Sequence, residues 1–158
     1  PAADPSGLWN TFDKEGTVQS TVEVRIEEGK LYATILSLQN QPEENPLCEK
    51  CKGDLYGKPV IGMEVINGLS LKKSIWQSGT VFDPETGGSY KAKVWLEGGA
   101  LMVRGYLGFV YQTKSWQRVP LAVHKLVDFV AQHFIKVGAG IGGIGNIHAY
   151  QYLLSVAL

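Results

Sequence analysis

Val18-Gln19-Ser20-Thr21-Val22-Glu23-Val24-Arg25-Ile26-Glu27, then Glu28-Gly29, then Lys30-Leu31-Tyr32-Ala33-Thr34-Ile35, is the stretch that decides the fold. Val18, Ser20, Val22, Val24 and Ile26 alternate with Gln19, Thr21, Glu23, Arg25 and Glu27. A period of two is that of a strand with one dry and one wet face. Glu28-Gly29 reads as a tight hairpin turn, and Leu31, Ala33 and Ile35 carry the alternation into the next strand.

Working outward, Gly7-Leu8-Trp9-Asn10-Thr11-Phe12 reads as a first strand, turned by Asp13-Lys14-Glu15-Gly16. From residue 39 to 58 the pattern breaks. This polar stretch carries Pro42, Pro46 and the pair Cys48-Glu49-Lys50-Cys51, and it reads as a long surface loop. Strands resume over about 60–66 and 71–76. Asp83-Pro84-Glu85-Thr86-Gly87-Gly88 is a turn: Asp bonds following backbone, Pro presets φ and Gly supplies a positive one. Tyr90, Ala92, Val94 and Leu96 then alternate with Lys91, Lys93, Trp95 and Glu97, and Glu97-Gly98-Gly99 turns again. Leu101, Val103, Gly105, Leu107 and Phe109 form one face of the next strand, and 113–119 forms the last. Eight strands joined mostly by short turns point to a mainly β, antiparallel barrel, with an open sandwich as the rival.

After Pro120 the period changes. Leu121, Val123, Val127, Val130, Phe134 and Val137 share one broad helical face, with Lys125, Asp128, Gln132 and Lys136 opposite. Pro120 suits a helix start and Gly138 its end. The spacing predicts a C-terminal helix followed by an uncharged, Gly-rich apolar tail. The expected division is a barrel domain over 1–119 and a segment over 120–158 packed on the barrel or on a partner. Asn146, His148, Gln151 and the glycines dilute the hydrophobicity of the tail, so burial, or a homo-oligomer formed through 120–158, is favoured over membrane insertion.

The chain has 158 residues, 44% hydrophobic and 19% charged, with a formal net charge of +0. That length suits one domain able to bury a core of its own. Neutrality supplies no pull on phosphate backbones, so nucleic acid is not an expected partner. Pro1-Ala2-Ala3-Asp4-Pro5 reads like the start of a mature exported protein, and an oxidising compartment would let Cys48 and Cys51 pair. The expected location is periplasmic or secreted, with a signal peptide removed.

Candidate chemistry is sparse. The Cys48-x-x-Cys51 pair has three readings: a loop clip, half of a metal site, or a redox pair. The clip is favoured. Redox pairs of this spacing want a helix start, and zinc would need further ligands from His124, His133 or His148. His124 and Asp128 share a helical face, which reads as a solvated stripe. Gly138-Ala139-Gly140-Ile141-Gly142-Gly143 fits a dinucleotide fingerprint in letters but follows a helix rather than a strand. Trp95 falls on a wet face, which suits either a contact residue or one covered by the tail. Glu64 shares parity with Val60 and Ile66, so it would be buried unless the register slips by one. No nucleophile–base pair is visible, and no catalytic residue, metal or cofactor is expected.

Several short signatures line up in order: Gly7-Leu8-Trp9, Gly29-Lys30-Leu31-Tyr32, Cys48-x-x-Cys51-x-Gly53, Pro59-x-x-Gly62, Gly79-x-x-x-Asp83-Pro84-x-x-Gly87-x-x-Tyr90, Val103-Arg104-Gly105-Tyr106-x-Gly108 and Trp116-x-Arg118-Val119. Together they resemble the domain of unknown function 2147 family of small exported bacterial proteins, over about residues 6–119. The resemblance implies a lipocalin-like barrel in the cell envelope with no assigned substrate, and it leaves 120–158 uncovered. It is also similar to the wider lipocalin pattern, in which a Gly-x-Trp on the first strand meets an Arg at the end of the last. Here Gly7, Trp9 and Arg118 stand in those places, and an Arg over an indole face gains cation–π energy. The leading expectation is a non-catalytic carrier or sensor holding a small apolar molecule, with Trp76, Tyr90, Arg104 and Tyr106 as candidate ligand residues. Trp9, Arg118, Cys48 and Cys51 are expected to be structural. The alternative is an envelope interaction module or homo-oligomer with a packed barrel and the tail as its interface.

Overall fold

The computed structural model describes residues 3–120 and Phe129. The chain divides into two units between Arg118 and Val119, and the first holds eight strands. These are β1 (Gly7–Phe12), β2 (Val18–Glu27), β3 (Lys30–Leu38), β4 (Glu64–Lys72), β5 (Ile75–Asp83), β6 (Gly88–Glu97), β7 (Ala100–Leu107) and β8 (Val110–Arg118). Each pairs antiparallel with the next and β8 returns to β1, closing a barrel with an up-and-down order. Closure leaves no long free edge, which the open sandwich would have exposed. The C-terminal helix, the Gly-rich tail, His124, Asp128, His133 and His148 lie outside the described residues.

Alternation puts the core where it was expected. Val22, Val24, Leu31, Ala33, Ile35, Ala92, Val94, Leu101 and Val103 are buried in the interior with Trp9, Ile66, Leu69, Trp76 and Trp116. Burying aliphatic and aromatic groups of this size contributes about 1.5–3 kcal/mol each.

The structure departs from the sequence pattern at three places, each for a local reason. The run 71–76 is not one strand, because the turn at Lys73-Ser74 reverses the chain and pairs Leu71 with Trp76 across a hairpin. The strand expected from residue 60 begins at Glu64, and a bulge lies where β3 pairs with it, between Ala33 and Thr34. The bulge carries both Val65 and Ile66 inward and turns Glu64 outward, opposite Thr34. A bulge inserts one residue without a partner, so parity slips by one beyond it. Glu64 is therefore not a buried carboxylate; it pairs with Arg25 Nη2 on the outer face. Burial opposes the charge of Arg25, but hydrogen bonds to Glu27 and Glu64 outweigh it and raise the guanidinium pKa. Finally, β7 ends at Leu107, and β8 starts at Val110 after the two-residue turn Gly108-Phe109.

The two ends of the barrel differ. At one end the chain entering β1 lies under Arg118. Arg118 Cζ sits 4.3 Å from the Trp9 ring centroid. Its Nη1 donates to Ser6 O at 2.7 Å and its Nη2 to Asp4 O at 3.0 Å. Trp9 Nε1 donates to Pro5 O at 2.8 Å. A Cβ on Gly7 would lie 2.9 Å from Arg118 Nη1, so the approach needs a residue without a side chain. Asp4 Oδ1 accepts from Ser6 N, and this backbone bond, with a side-chain bond from Ser6 and a smaller pull from Arg118, holds the Asp4 carboxyl below its ordinary value. Among the described residues, β1 and β8 are in register only at Trp9↔Arg118 and Asn10↔Gln117, so this cluster also fastens the seam.

Candidate ligand-binding cavity

At the opposite end the barrel is open. The short turn Asp13–Thr17, the long connection over 39–63, the β5–β6 turn and the Gly108-Phe109 turn surround a cavity of about 440 Å³. Its walls are Val22, Ile35, Leu38, Val60, Val65, Val81, Val103 and Trp116, and its rim carries Gln19, Gln41, Asp83, Glu85, Tyr90, Gln112 and Lys114. Trp9, Val24, Leu31, Leu69, Val94 and Leu101 do not line it; they fill the barrel below. The interior is thus half packed and half hollow. A concave, mostly apolar space with a few polar groups at its edge is the usual form of a small-molecule site.

The connection over 39–63 is built, not loose. Cys48 and Cys51 form a disulfide. Cys48 N donates to Lys58 O and Val60 N to Pro46 O, making a small stem around the bridge Leu47↔Pro59. Both cysteines pack with Met63, Val60 and Phe82 in a second, smaller core beside the mouth. The β5–β6 turn meets this loop. Asp83 Oδ1 accepts from Glu85 N, Gly87 N donates to Asp83 O, and a Cβ on Gly87 would collide with the Lys50 carbonyl.

The four residues expected to touch a ligand go to three places. Tyr90 lines the cavity. Trp76 is inside the barrel but at the closed end, beside a second cavity of about 350 Å³ near Asp4 and Pro5. Arg104 and Tyr106 are on the outer face, because Val103 and Gly105 take the inward positions of β7. There Arg104 Cζ lies 4.9 Å from the Trp95 ring and 4.3 Å from the Tyr111 ring, and its Nε donates to Thr113 Oγ1. Two polar rim residues were not expected from the sequence, Gln112 and Lys114. The signal was present: they share parity with Trp116 on β8. Reading that strand from residue 113 rather than Val110 hid the alternation. Among the described residues no group of three or more His, Cys, Asp or Glu side chains is placed to hold a metal ion.

A closed eight-stranded antiparallel barrel, hollow at one end and sealed by Arg over Trp at the other, is lipocalin-like. Among solved structures the chain is similar to protein HP1028 from the human pathogen Helicobacter pylori, which belongs to the lipocalin family. The TM-score is 0.68 at 18% identity, with 79% of this chain and 89% of that one covered. At that identity the likeness is one of fold. The chain belongs to the DUF2147 family, uncharacterized protein conserved in bacteria, which matches residues 7–118. It matches no curated protein.

Proposed function

We propose that this protein is a non-catalytic carrier or sensor of a small, mostly apolar molecule held in the mouth of the barrel. The observation that carries this reading is the half-hollow interior, since a barrel built only for stability would be packed to native density throughout. The position of Lys114 supports a finer statement. It stands exposed at the rim, on the same face of β8 as Gln112 and Trp116, and a cation at the edge of an apolar cavity favours a ligand with an acidic or strongly polar head and an apolar body. The Cys48–Cys51 disulfide suits an oxidising compartment, so we place the protein in the envelope or outside the cell.

Native mass spectrometry of protein purified from the envelope of its host tests the proposal. Retained extra mass on the intact chain, lost in a Val81→Trp variant that fills the cavity, is the expected result. A clean apo mass in wild type, with Val81→Trp melting like wild type and differing in mass by the substitution alone, would overturn it.

A further inference from the structure

The hairpin joining β7 and β8 carries the largest apolar exposure among the described residues. Leu107 is 71% exposed, Phe109 106%, Val110 72% and Tyr111 56%. Leu107 and Val110 face the mouth of the cavity, Phe109 stands at the tip and Tyr111 on the outer face, and exposed apolar side chains gathered at one turn mark an interaction site. Behind the tip, on the outer face, the side chains change character. Tyr106 and Tyr111 lie with ring centroids 5.8 Å apart. Lys93 Nζ sits 5.8 Å from the Tyr106 ring, and Arg104 lies against both Tyr111 and Trp95. An apolar tip backed by a belt of Trp, Tyr, Lys and Arg is the arrangement that suits a membrane interface. Aromatic rings with a polar edge settle at headgroup depth and basic side chains meet lipid phosphate.

Charge selects the surface. Of the five basic residues from Gly88 to Pro120, Lys91, Lys93 and Arg104 take outward positions on β6 and β7, while Lys114 lines the cavity and Arg118 closes the opposite end; Glu97 is the single acid. Glu97 ends β6, away from the mouth, where its Oε2 accepts from Trp95 Nε1. The outer face of β6 and β7 near the hairpin therefore carries these three cations in a chain whose net charge is +0. The acids of the mouth sit on the other connections: Asp13 and Glu15 on the β1–β2 turn, Glu43, Glu44, Glu49 and Asp54 on the long connection over 39–63, and Glu85 on the β5–β6 turn. The face presented to an anionic surface is then the hairpin wall and not the whole rim.

We infer that the Leu107–Tyr111 hairpin tip, with the Trp95/Arg104/Tyr106 belt behind it, docks this protein peripherally on an anionic lipid bilayer. The contact is interfacial and spans nothing. It does not depend on the carrier reading, although Leu107 and Val110 also line the cavity, so docking brings the mouth to the lipid surface.

The test is co-flotation of the full chain with phosphatidylcholine vesicles containing about a third phosphatidylglycerol. Wild type floats with these vesicles, binds pure phosphatidylcholine more weakly, and is released at about 1 M salt, where screening reaches within a few ångströms. Phe109→Asp lowers the bound fraction about tenfold, and Lys91→Glu lowers it on the anionic vesicles alone. Phe109 is fully exposed, so its variant keeps the wild-type melting temperature, and residues 121–158 are intact in both variants. No binding by wild type, equal binding to both vesicle types, or Phe109→Asp floating like wild type would each overturn the inference. In the last case the lipid contact belongs elsewhere in the chain.

Discussion

Replacing Arg118 with alanine removes more than a surface charge. The guanidinium donates to two backbone carbonyls of the entering chain, at 2.7 and 3.0 Å, and stacks 4.3 Å from the Trp9 ring centroid. A hydrogen bond to a charged group can contribute about 1.5–3 kcal/mol, but this one is exposed, so about 1 kcal/mol each is the appropriate figure. The cation–π contact adds about 0.5–1 kcal/mol at an exposed site. The expected loss is about 2–3 kcal/mol, or a fall in melting temperature of roughly 10 °C for a barrel of this size. Because β1 and β8 are in register at only two described pairs, the loss should concentrate at the seam. Amides of Trp9, Asn10 and Gln117 then exchange faster, while those in β4 and β5 change only with global stability. Arg118→Lys recovers less than half, since an ammonium cannot fork two carbonyls and lie flat on an indole. Thermal unfolding by circular dichroism together with amide exchange measures both effects. An alanine variant within about 0.5 kcal/mol of wild type, or exchange spread evenly round the barrel, would refute the seam argument.

Gly87→Ala forces a side chain onto a residue at φ 72° and into the Lys50 carbonyl. It should cost more than about 1 kcal/mol and displace the disulfide loop from the β5–β6 turn, read as a lower melting temperature and shifted amide resonances around Cys51. Asp4 has a folded pKa below its ordinary 3.8. The stability it contributes is therefore present above 3.8 and is lost as pH falls through the folded value. Carbon-detected NMR should place its midpoint below 3.8, and a midpoint at or above that would remove the Ser6 bond from the account.

Chain-local physics decided most of the barrel. The two-residue period of 18–27, the Glu28-Gly29 turn and the alternation over 90–97 need only the geometry of the pleat, so the strands and their inward faces are legible in the residues. Membership of the DUF2147 family is legible in the same way, from short motifs at fixed spacing. Legibility failed where one inserted residue or one turn outweighs the pattern. Glu64 turned outward because a bulge shifted parity, and Phe109 left its strand because the chain reversed at Gly108. The site was the least readable part. Tyr90 reaches the cavity and Arg104 does not, although both are polar residues in alternating strands, because which side of a closed barrel a strand shows depends on register with its neighbours. Whether the interior is filled or hollow is a sum over side chains from all eight strands, and no window of sequence contains it. That sum leaves a cavity of about 440 Å³ above a packed floor, and closure of the barrel alone sets Lys114 at its rim.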